Sequence, residues 1–346
     1  MPLPLHRRCR SLASSHAPPS APRRQFLRVS CILLLTLSAN AESPAEHALL
    51  TGHIAEAQQL LQAAIAATDQ PADHLLLCRV FFAEDHFSDA LPQCQAAADS
   101  PSPSSAAFLW LGRIQGARAS RANPLVAFVI ARKVHSAFAR AVELNPASAA
   151  AVDDLGEYLV EAPAVVGGGV DLARTLAAQS MAATPSAAHR VLAQAAQHTG
   201  DSPAAEREFR AAVRMARHEE LPGAWIDLAR FFSQHGHPED ALAAIRSALA
   251  ADPRHDAALV DAARLRLRLH QPPADAIALL RDYLNSPNQT DEAPSFKVHR
   301  QLANLFTRIG DTAAAEHEEA AARTLAPDFL PSPSPHRSDS STGQVR

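Results

Sequence analysis

Apolar residues recur at helical spacing along most of the chain, in a pattern that restarts at regular intervals. The clearest unit spans residues 222–255 and predicts two helices, each with an apolar stripe along one face. Gly236 separates the two helices as a turn residue, and Pro253 ends the second one. The stripes comprise Trp225, Leu228, Ala229, Phe232, Ala241, Ile245 and Ala248.

The unit recurs with a period of about 34 residues and small insertions. An alanine lies five positions after Gly52, Gly200, Gly236 and Gly310. Because one helix pair cannot bury its own apolar face, neighbouring pairs must stack. We therefore predict an all-α, right-handed solenoid of about eight helix-turn-helix repeats over residues 42–327. The units are 42–70 (truncated), 71–104, 105–148 (longer than the period), 149–187, 186–221, 222–255, 257–290 and 296–329.

The spacing Trp-x2-Leu-small-x2-aromatic, the turn glycine and the closing proline resemble the tetratricopeptide repeat (TPR). The resemblance implies a scaffold that binds other proteins, with the first helices lining a concave groove. The chain is also similar to a group of exported bacterial TPR proteins, which implies a compartment but no reaction. That similarity rests on Trp110-Leu111-Gly112-Arg113 and on the insert Ala162-Pro163-Ala164-Val165-Val166-Gly167-Gly168-Gly169.

The N-terminus has the pattern of a secretory signal peptide, residues 1–41, with cleavage expected after Ala41. Arg23-Arg24-Gln25-Phe26-Leu27 also resembles a twin-arginine export signal, and an ordinary export signal with a chance arginine pair is the alternative. The apolar run at 29–37 is shorter than the roughly 20 residues of a bilayer span, so we expect no stable span after cleavage. Residues 328–346 lack an apolar period and predict a disordered tail.

Composition and charge exclude several classes of protein. With 47% apolar and 20% charged residues, most of the chain can bury a core. Residues 1–41 hold six arginines and no acidic residue, which leaves 26 basic and 36 acidic residues, a net charge of −10. That charge argues against non-specific binding of nucleic acid or anionic membranes. Residues 113–133 are a basic exception, which we interpret as a solvated face or a docking site for an acidic partner.

The TPR resemblance also assigns fixed positions of each first helix to the groove, and many of these positions carry arginine. The forked guanidinium group suits carboxylates, so we predict a protein or acidic-peptide ligand, with ordinary solvated arginines as the alternative. Arg300 and Asn304 also resemble half of a chaperone-tail carboxylate clamp. The predicted groove residues are Arg79, Phe82, Arg113, Glu157, Arg190, Gln194, Arg230, Arg268, Arg300, Asn304 and Arg308.

Little in the sequence indicates chemistry. Cys78 and Cys94 face each other in one predicted helix pair, either as a disulfide in an oxidising compartment or as two buried thiols. The Gly167–Gly169 run precedes a helix, as phosphate-binding loops do. However, no strand precedes it and no Lys-Ser/Thr follows it, so we favour a structural turn. No catalytic or metal-binding motif occurs, and no cofactor is predicted.

These features predict a non-catalytic scaffold or adaptor in the periplasm or cell envelope of a bacterium. The alternative is an accessory protein of an envelope transporter that binds a solute. A closed apolar pocket among the helices of residues 110–180 would favour the alternative. An open, solvated groove would favour the adaptor.

Overall fold

The computed structural model describes residues 42–251 and 257–329, and in these ranges the chain forms helices and no strand. The predicted signal peptide, Pro253 and most of the predicted tail lie outside the described residues. The helices are α1 (Pro44–Leu50), α2 (Ile54–Thr68), α3 (Pro71–Ala83), α4 (Phe87–Ala98), α5 (Ser105–Ser120), α6 (Pro124–Leu144), α7 (Ala149–Glu161), α8 (Val170–Ser180), α9 (Pro185–His198), α10 (Ser202–Met215), α11 (Leu221–Gln234), α12 (Pro238–Ala251), α13 (Ala258–Arg268), α14 (Pro273–Leu284), α15 (Ser295–Ile309) and α16 (Thr312–Leu325).

Consecutive helices pack as hairpins, and each hairpin also packs against the next one. The turn within a hairpin is short, and Gly52 and Gly310 adopt φ values of 80° and 84° there. Glycine reaches this left-handed conformation without the steric cost that a Cβ atom would add. The predicted all-α helical-repeat fold is confirmed, since the helix pairs fall within the predicted units.

The unit at 105–148 differs from the others in helix length. The extra residues lengthen α5 and α6 to 16 and 21 residues. The Asn123 side chain caps α6 by accepting a hydrogen bond from the Val126 backbone N–H at 3.1 Å, and Pro124 follows as the first helical residue. The apolar sequence after Asn123 is therefore helix, not connecting loop.

Small residues allow the helices to approach closely. A Cβ atom on Gly112 of α5 would collide with the Phe138 ring of α6, whereas one on Gly116, a turn later on α5, would meet nothing within 4 Å. We therefore expect Gly112→Ala to lower the free energy of unfolding by about 1–3 kcal/mol. Gly116→Ala, the matched control, should raise it by up to about 1 kcal/mol, because alanine favours helix. Chemical denaturation measures both, and equal effects would contradict the close packing at Gly112.

The two ends of the repeat array contact each other. Phe296, at the start of α15, shares one buried apolar cluster with residues of α1, α2 and α3 and with Phe329. Beside this cluster, Lys297 Nζ donates to Asp85 Oδ1 at 3.0 Å, and a Cβ atom on Gly52 would lie 3.0 Å from the Ser295 nitrogen. We call this contact the closure. It joins the first repeats to the last, which the periodic pattern did not predict.

A disulfide links the two helices of the second pair. Cys78 of α3 and Cys94 of α4 are both fully buried, and their Cα atoms lie 5.2 Å apart. We expect replacement of both cysteines by alanine to lower the free energy of unfolding by about 3 kcal/mol. The chain from Glu42 onward holds only these two cysteines, and thiol titration of that chain, unfolded without reductant, should find neither of them free. Two free thiols there would restore the buried-thiol interpretation.

The glycine-rich insert between α7 and α8 is held by its own chain. The backbone N–H groups of Gly167, Gly168 and Gly169 donate to the carbonyls of Ala164, Pro163 and Leu159, so none of the three points to a ligand. A Cβ atom on Gly168 would collide with the backbone carbonyl of Ala162. These contacts agree with a structural turn and not with a phosphate cradle.

Candidate interaction site on the inner face

First helices of successive repeats line two neighbouring pockets, which we call the inner face. The first pocket has a volume of about 380 Å³ and lies among α7, α9, α11 and α13. The second has a volume of about 520 Å³ and lies among α3, α5, α6 and α7. Glu292, in the loop before α15, lines both pockets. Their charged residues are Arg113, Asp153, Asp154, Glu157, Glu161, Arg190, Glu219, Glu220, Asp227, Arg230, Asp261 and Glu292.

In the first pocket, arginines and aspartates alternate across three helices. Arg190 of α9 donates from Nε to Asp153 Oδ1 of α7 at 3.1 Å, and the same Nε lies 3.8 Å from Asp227 Oδ2 of α11. Arg230 donates to the other oxygen of Asp227 at 2.6 Å. The Arg190 side chain is only 12% exposed. Arg190 therefore connects three adjacent repeats, whereas the Arg230–Asp227 pair lies within α11.

Near the second pocket, two arginines bind the loop between α14 and α15. Arg79 donates from Nε to Asp291 Oδ2 at 2.7 Å. Arg113 donates from Nε to Asp154 Oδ2 at 2.6 Å and approaches Glu292 Oε1 at 3.6 Å. The loop from Asn285 to Pro294 therefore reaches first helices at the opposite end of the sequence.

Burial affects the carboxylates of the inner face. It raises the pKa of Asp153, an effect that the Arg190 charge partly offsets. Burial also raises the pKa of Asp227, against the opposing charges of Arg230 and Arg190. The pKa of Glu157 is raised by burial and by the negative charges of Asp154 and Glu161. These shifts favour the protonated form of the three carboxyl groups, while the nine acidic residues that line the two pockets outnumber the three arginines.

The prediction of an arginine-rich groove can be compared with this arrangement of charges. Arg79, Arg113, Arg190 and Arg230 do lie at or beside the two pockets, together with Phe82 and Glu157. However, each of these arginines already has a carboxylate partner. The first pocket is lined by six carboxylates and two arginines. An acidic ligand would have to compete with these carboxylates.

The other predicted groove residues lie elsewhere. Asn304 and Arg308 line a separate pocket with residues of α13 and α14. Arg300 pairs with Glu319 of α16 at 3.2 Å, so it is not part of a carboxylate clamp on the inner face. Arg268 is exposed and lines neither pocket. Gln194 is on α9, and its buried Oε1 has no hydrogen-bond partner within the described ranges.

Sequence reasoning missed Asp153, Asp154 and Asp227 as partners of the groove arginines. Each is on a first helix, but none occupies a groove position that the TPR resemblance selects. It also missed Asp291 and Glu292, because the loop that carries them lies outside every periodic stripe. The only sequence signal for this contact was the adjacent acidic pair Asp291-Glu292 in the loop before α15.

Within residues 42–251 and 257–329, no group of three or more histidine, cysteine or acidic side chains is placed to hold a metal ion. Over the same ranges, none of the helices combines the length and the apolar character needed to cross a bilayer.

Comparison with known proteins gives one family match. Residues 222–265 match the model of the tetratricopeptide repeat family, and they cover α11, α12 and most of α13. The search of curated proteins found no match.

Several solved structures are similar at low identity. The C-terminal part of a TPR repeat-containing protein from Cytophaga hutchinsonii is 13% identical over 82% of this chain and 95% of its own, with a TM-score of 0.38. A thermophilic TPR protein of Thermus thermophilus is 19% identical over 60% of this chain and 100% of its own, with a TM-score of 0.42. Yeast Tom70 is 15% identical over 82% of this chain and 61% of its own, with a TM-score of 0.47. The family match identifies a tetratricopeptide repeat at residues 222–265, and the stacked helix pairs extend the helical-repeat fold along the described residues.

Proposed function

We propose that the protein is a non-catalytic scaffold of the bacterial cell envelope that binds segments of partner proteins on its inner face. The observation that carries the proposal is the pair of solvent-open pockets lined by charged side chains of successive first helices. Ile226, Asp227, Arg230 and Asp261 of the first pocket lie in the stretch that matches the TPR family. The signal-peptide pattern at 1–41 supports export to the envelope.

The charge of the site indicates the kind of segment that it binds. Carboxylates outnumber arginines in both pockets, and the arginines are already paired. A segment with lysine or arginine side chains gains attraction from Glu157 and Glu161, which lie at the surface of the second pocket. The acidic peptide that the arginine positions suggested remains the competing proposal, and it requires displacement of Asp291 and Glu292 from Arg79 and Arg113.

The solute-binding alternative is less well supported. It calls for a closed apolar pocket among the helices of residues 110–180. The pocket there contains Phe138 and Val134, but it is open to solvent and also lined by Arg113, Asp154 and Glu157. An open, charged pocket suits a polypeptide segment better than an enclosed small solute.

The proposal is tested by capturing partners from the envelope fraction of the native bacterium with the full chain as bait. One variant, Glu157→Lys with Glu161→Lys, reverses charge on the inner face. A matched control, Glu206→Lys with Glu239→Lys, makes the same net change on second helices. We expect the inner-face variant to lose the specific partners at least tenfold, by the usual cost of reversing interface charges, while the control keeps them.

A third bait, Arg230→Glu, distinguishes an acidic partner segment from a basic one. Arg230 is 42% exposed in the first pocket, so its replacement changes the pocket surface and removes the ion pair with Asp227. Loss of partners with Arg230→Glu and retention with Glu157→Lys/Glu161→Lys would favour the acidic segment. Equal capture by all baits would reject the inner face as the binding surface. Cell fractionation of the native protein tests the envelope location, and recovery in the cytoplasm alone would reject it.

A further inference from the structure

The first two turns of α6 expose apolar side chains in an unusual concentration. Leu125 and Val129 are 84% and 57% exposed, and Val126 and Phe128 are also exposed. Because helical residues three and four apart are neighbours, Leu125, Phe128 and Val129 form one continuous surface, with Val126 at its border. We call these four residues the apolar face of α6. Exposed apolar surface of this kind marks an interaction site more often than a scattered single residue does.

Basic side chains border this apolar face. Arg132 and Lys133 follow Val129 by one turn on the same side of α6, and both are exposed. Together with Arg118 of α5, they line an open pocket of about 410 Å³ between α4, α5 and α6. Its other polar lining residues are Gln95, Gln115 and Ser136, and the lining includes no carboxylate.

The cations of this pocket differ from those of the inner face in having no acidic partner. Over the described ranges, Arg118, Arg132 and Lys133 form no ion pair, whereas the inner-face arginines all do. The sequence explains the difference, because no acidic residue occurs between Asp99 and Glu143. Two acidic residues, Asp85 and Asp89, line the adjacent pocket with Arg118 and Val126, and Asp85 is paired with Lys297.

From this juxtaposition we propose that the apolar face of α6 and the pocket of Arg118, Arg132 and Lys133 dock the protein on an anionic phospholipid bilayer. Charge complementarity selects this occupant. Apolar side chains next to a collar of cations on one helix match the boundary between acyl chains and anionic headgroups. The three cations would receive headgroup phosphates, while Leu125 and Val129 enter the acyl boundary.

This proposal is compatible with the negative charge of the rest of the chain. Electrostatic interactions at physiological salt fall off over about 8 Å, so a membrane at α6 is sensitive chiefly to the local cations. The net charge of −10 predicted weak binding to anionic membranes. Under this proposal, that charge repels an anionic membrane in every orientation of the protein except the one in which α6 faces the membrane. The docking surface is separate from the inner face, so it leaves the proposed partner site open.

Flotation of the full chain with phosphatidylglycerol-containing vesicles tests the proposal, with phosphatidylcholine vesicles as the neutral comparison. We expect salt-sensitive binding to the anionic vesicles only. Arg132→Glu with Lys133→Glu should weaken it about thirtyfold, given the usual attraction of each basic residue to an anionic surface. Leu125→Asp with Val129→Asp should weaken it at least about tenfold through lost apolar burial.

Matched controls keep the test specific. Arg207→Glu with Arg214→Glu makes the same charge change on α10, and Leu172→Asp with Ile309→Asp places the same acid at other exposed apolar positions. Both should bind like the unmodified chain. The chain from Glu42 onward, whose apolar clusters all lie within residues 45–329, repeats the experiment without the apolar run at 29–37. All variants should keep the helical circular-dichroism spectrum of the unmodified chain.

Four outcomes would overturn the proposal. Equal binding to both vesicle types would show that an anionic headgroup is not required. Binding that the two α6 variants do not weaken would assign it to another surface. Saturable binding of inorganic phosphate with no binding to vesicles would make the pocket a small-anion site. A dimer in size-exclusion chromatography that Leu125→Asp/Val129→Asp converts to a monomer, again without vesicle binding, would make the face a contact between two copies of the chain.

Discussion

Phe296→Ala is expected to lower the free energy of unfolding by about 3–5 kcal/mol, the usual cost of truncating a buried phenylalanine. Phe296 is fully buried at the closure, where it packs with α1, α2 and α3 and lies with its ring centroid 4.9 Å from that of Phe329. The loss has a specific location, because this side chain joins the first repeats to the last. Chemical denaturation of the variant measures the total effect.

Two controls separate the closure from ordinary packing. Phe306→Ala removes a buried phenylalanine from the cluster of the last repeats, which contains no residue of α1, α2 or α3. Both variants should lose stability, but only Phe296→Ala should speed amide hydrogen exchange in α1 and α2. Phe128→Ala, at an exposed position, should change stability by less than about 0.5 kcal/mol. Unchanged exchange in α1 and α2 of Phe296→Ala would show that the two ends do not support each other.

Arg190→Met is expected to cost about 3–5 kcal/mol near neutral pH, because it leaves the buried Asp153 carboxylate without its cation and removes one of the two cations beside Asp227. Methionine keeps much of the arginine stem, so the lost charge dominates the effect. The control is Arg230→Met, whose guanidinium group is 42% exposed and contributes less. A loss at Arg230 as large as the loss at Arg190 would contradict the structural role of the buried pair.

The Arg190→Met defect should also depend on pH. Burial already raises the pKa of Asp153 and of Asp227 above the ordinary value, and removal of Arg190 raises both further. A carboxyl group whose pKa is higher in the folded state binds protons more readily there than in the unfolded state. The defect is therefore full above the raised pKa values and shrinks as the pH falls toward about 4, the ordinary range for aspartate. Denaturation at several pH values measures this, and a defect that grows on acidification would refute the assignment.

The helix pairs were predictable because their causes are local. An apolar stripe at helical spacing, a glycine that accepts positive φ and a closing proline mark the clearest units, so the boundaries of α11 and α12 follow from residues 222–255 alone. The unit at 105–148 shows the limit of that reasoning. Its extra residues have helical propensity and a cap at Asn123, and they lengthen both helices of the pair, which the period alone does not show.

The inner face was predictable in position but not in charge. The repeat pattern places Arg113, Arg190 and Arg230 on first helices that line the pockets. It does not show which carboxylates Arg113 and Arg190 meet, because those partners come from other repeats. The partner of Arg230, Asp227, lies one turn away on the same helix. Glu292 lines both pockets because a loop without periodicity reaches the inner face beside the closure. The position of that loop depends on the whole repeat array and not on any one unit.

The closure has a consequence for how this protein can evolve. Open repeat arrays gain and lose units by internal gene duplication and deletion, since each module touches only its neighbours. Here, one additional module or one fewer would separate Phe296 from the pocket that α1, α2 and α3 form for it. We expect homologous chains that retain this aromatic contact to keep the same number of modules, and to vary in length only within loops and tails.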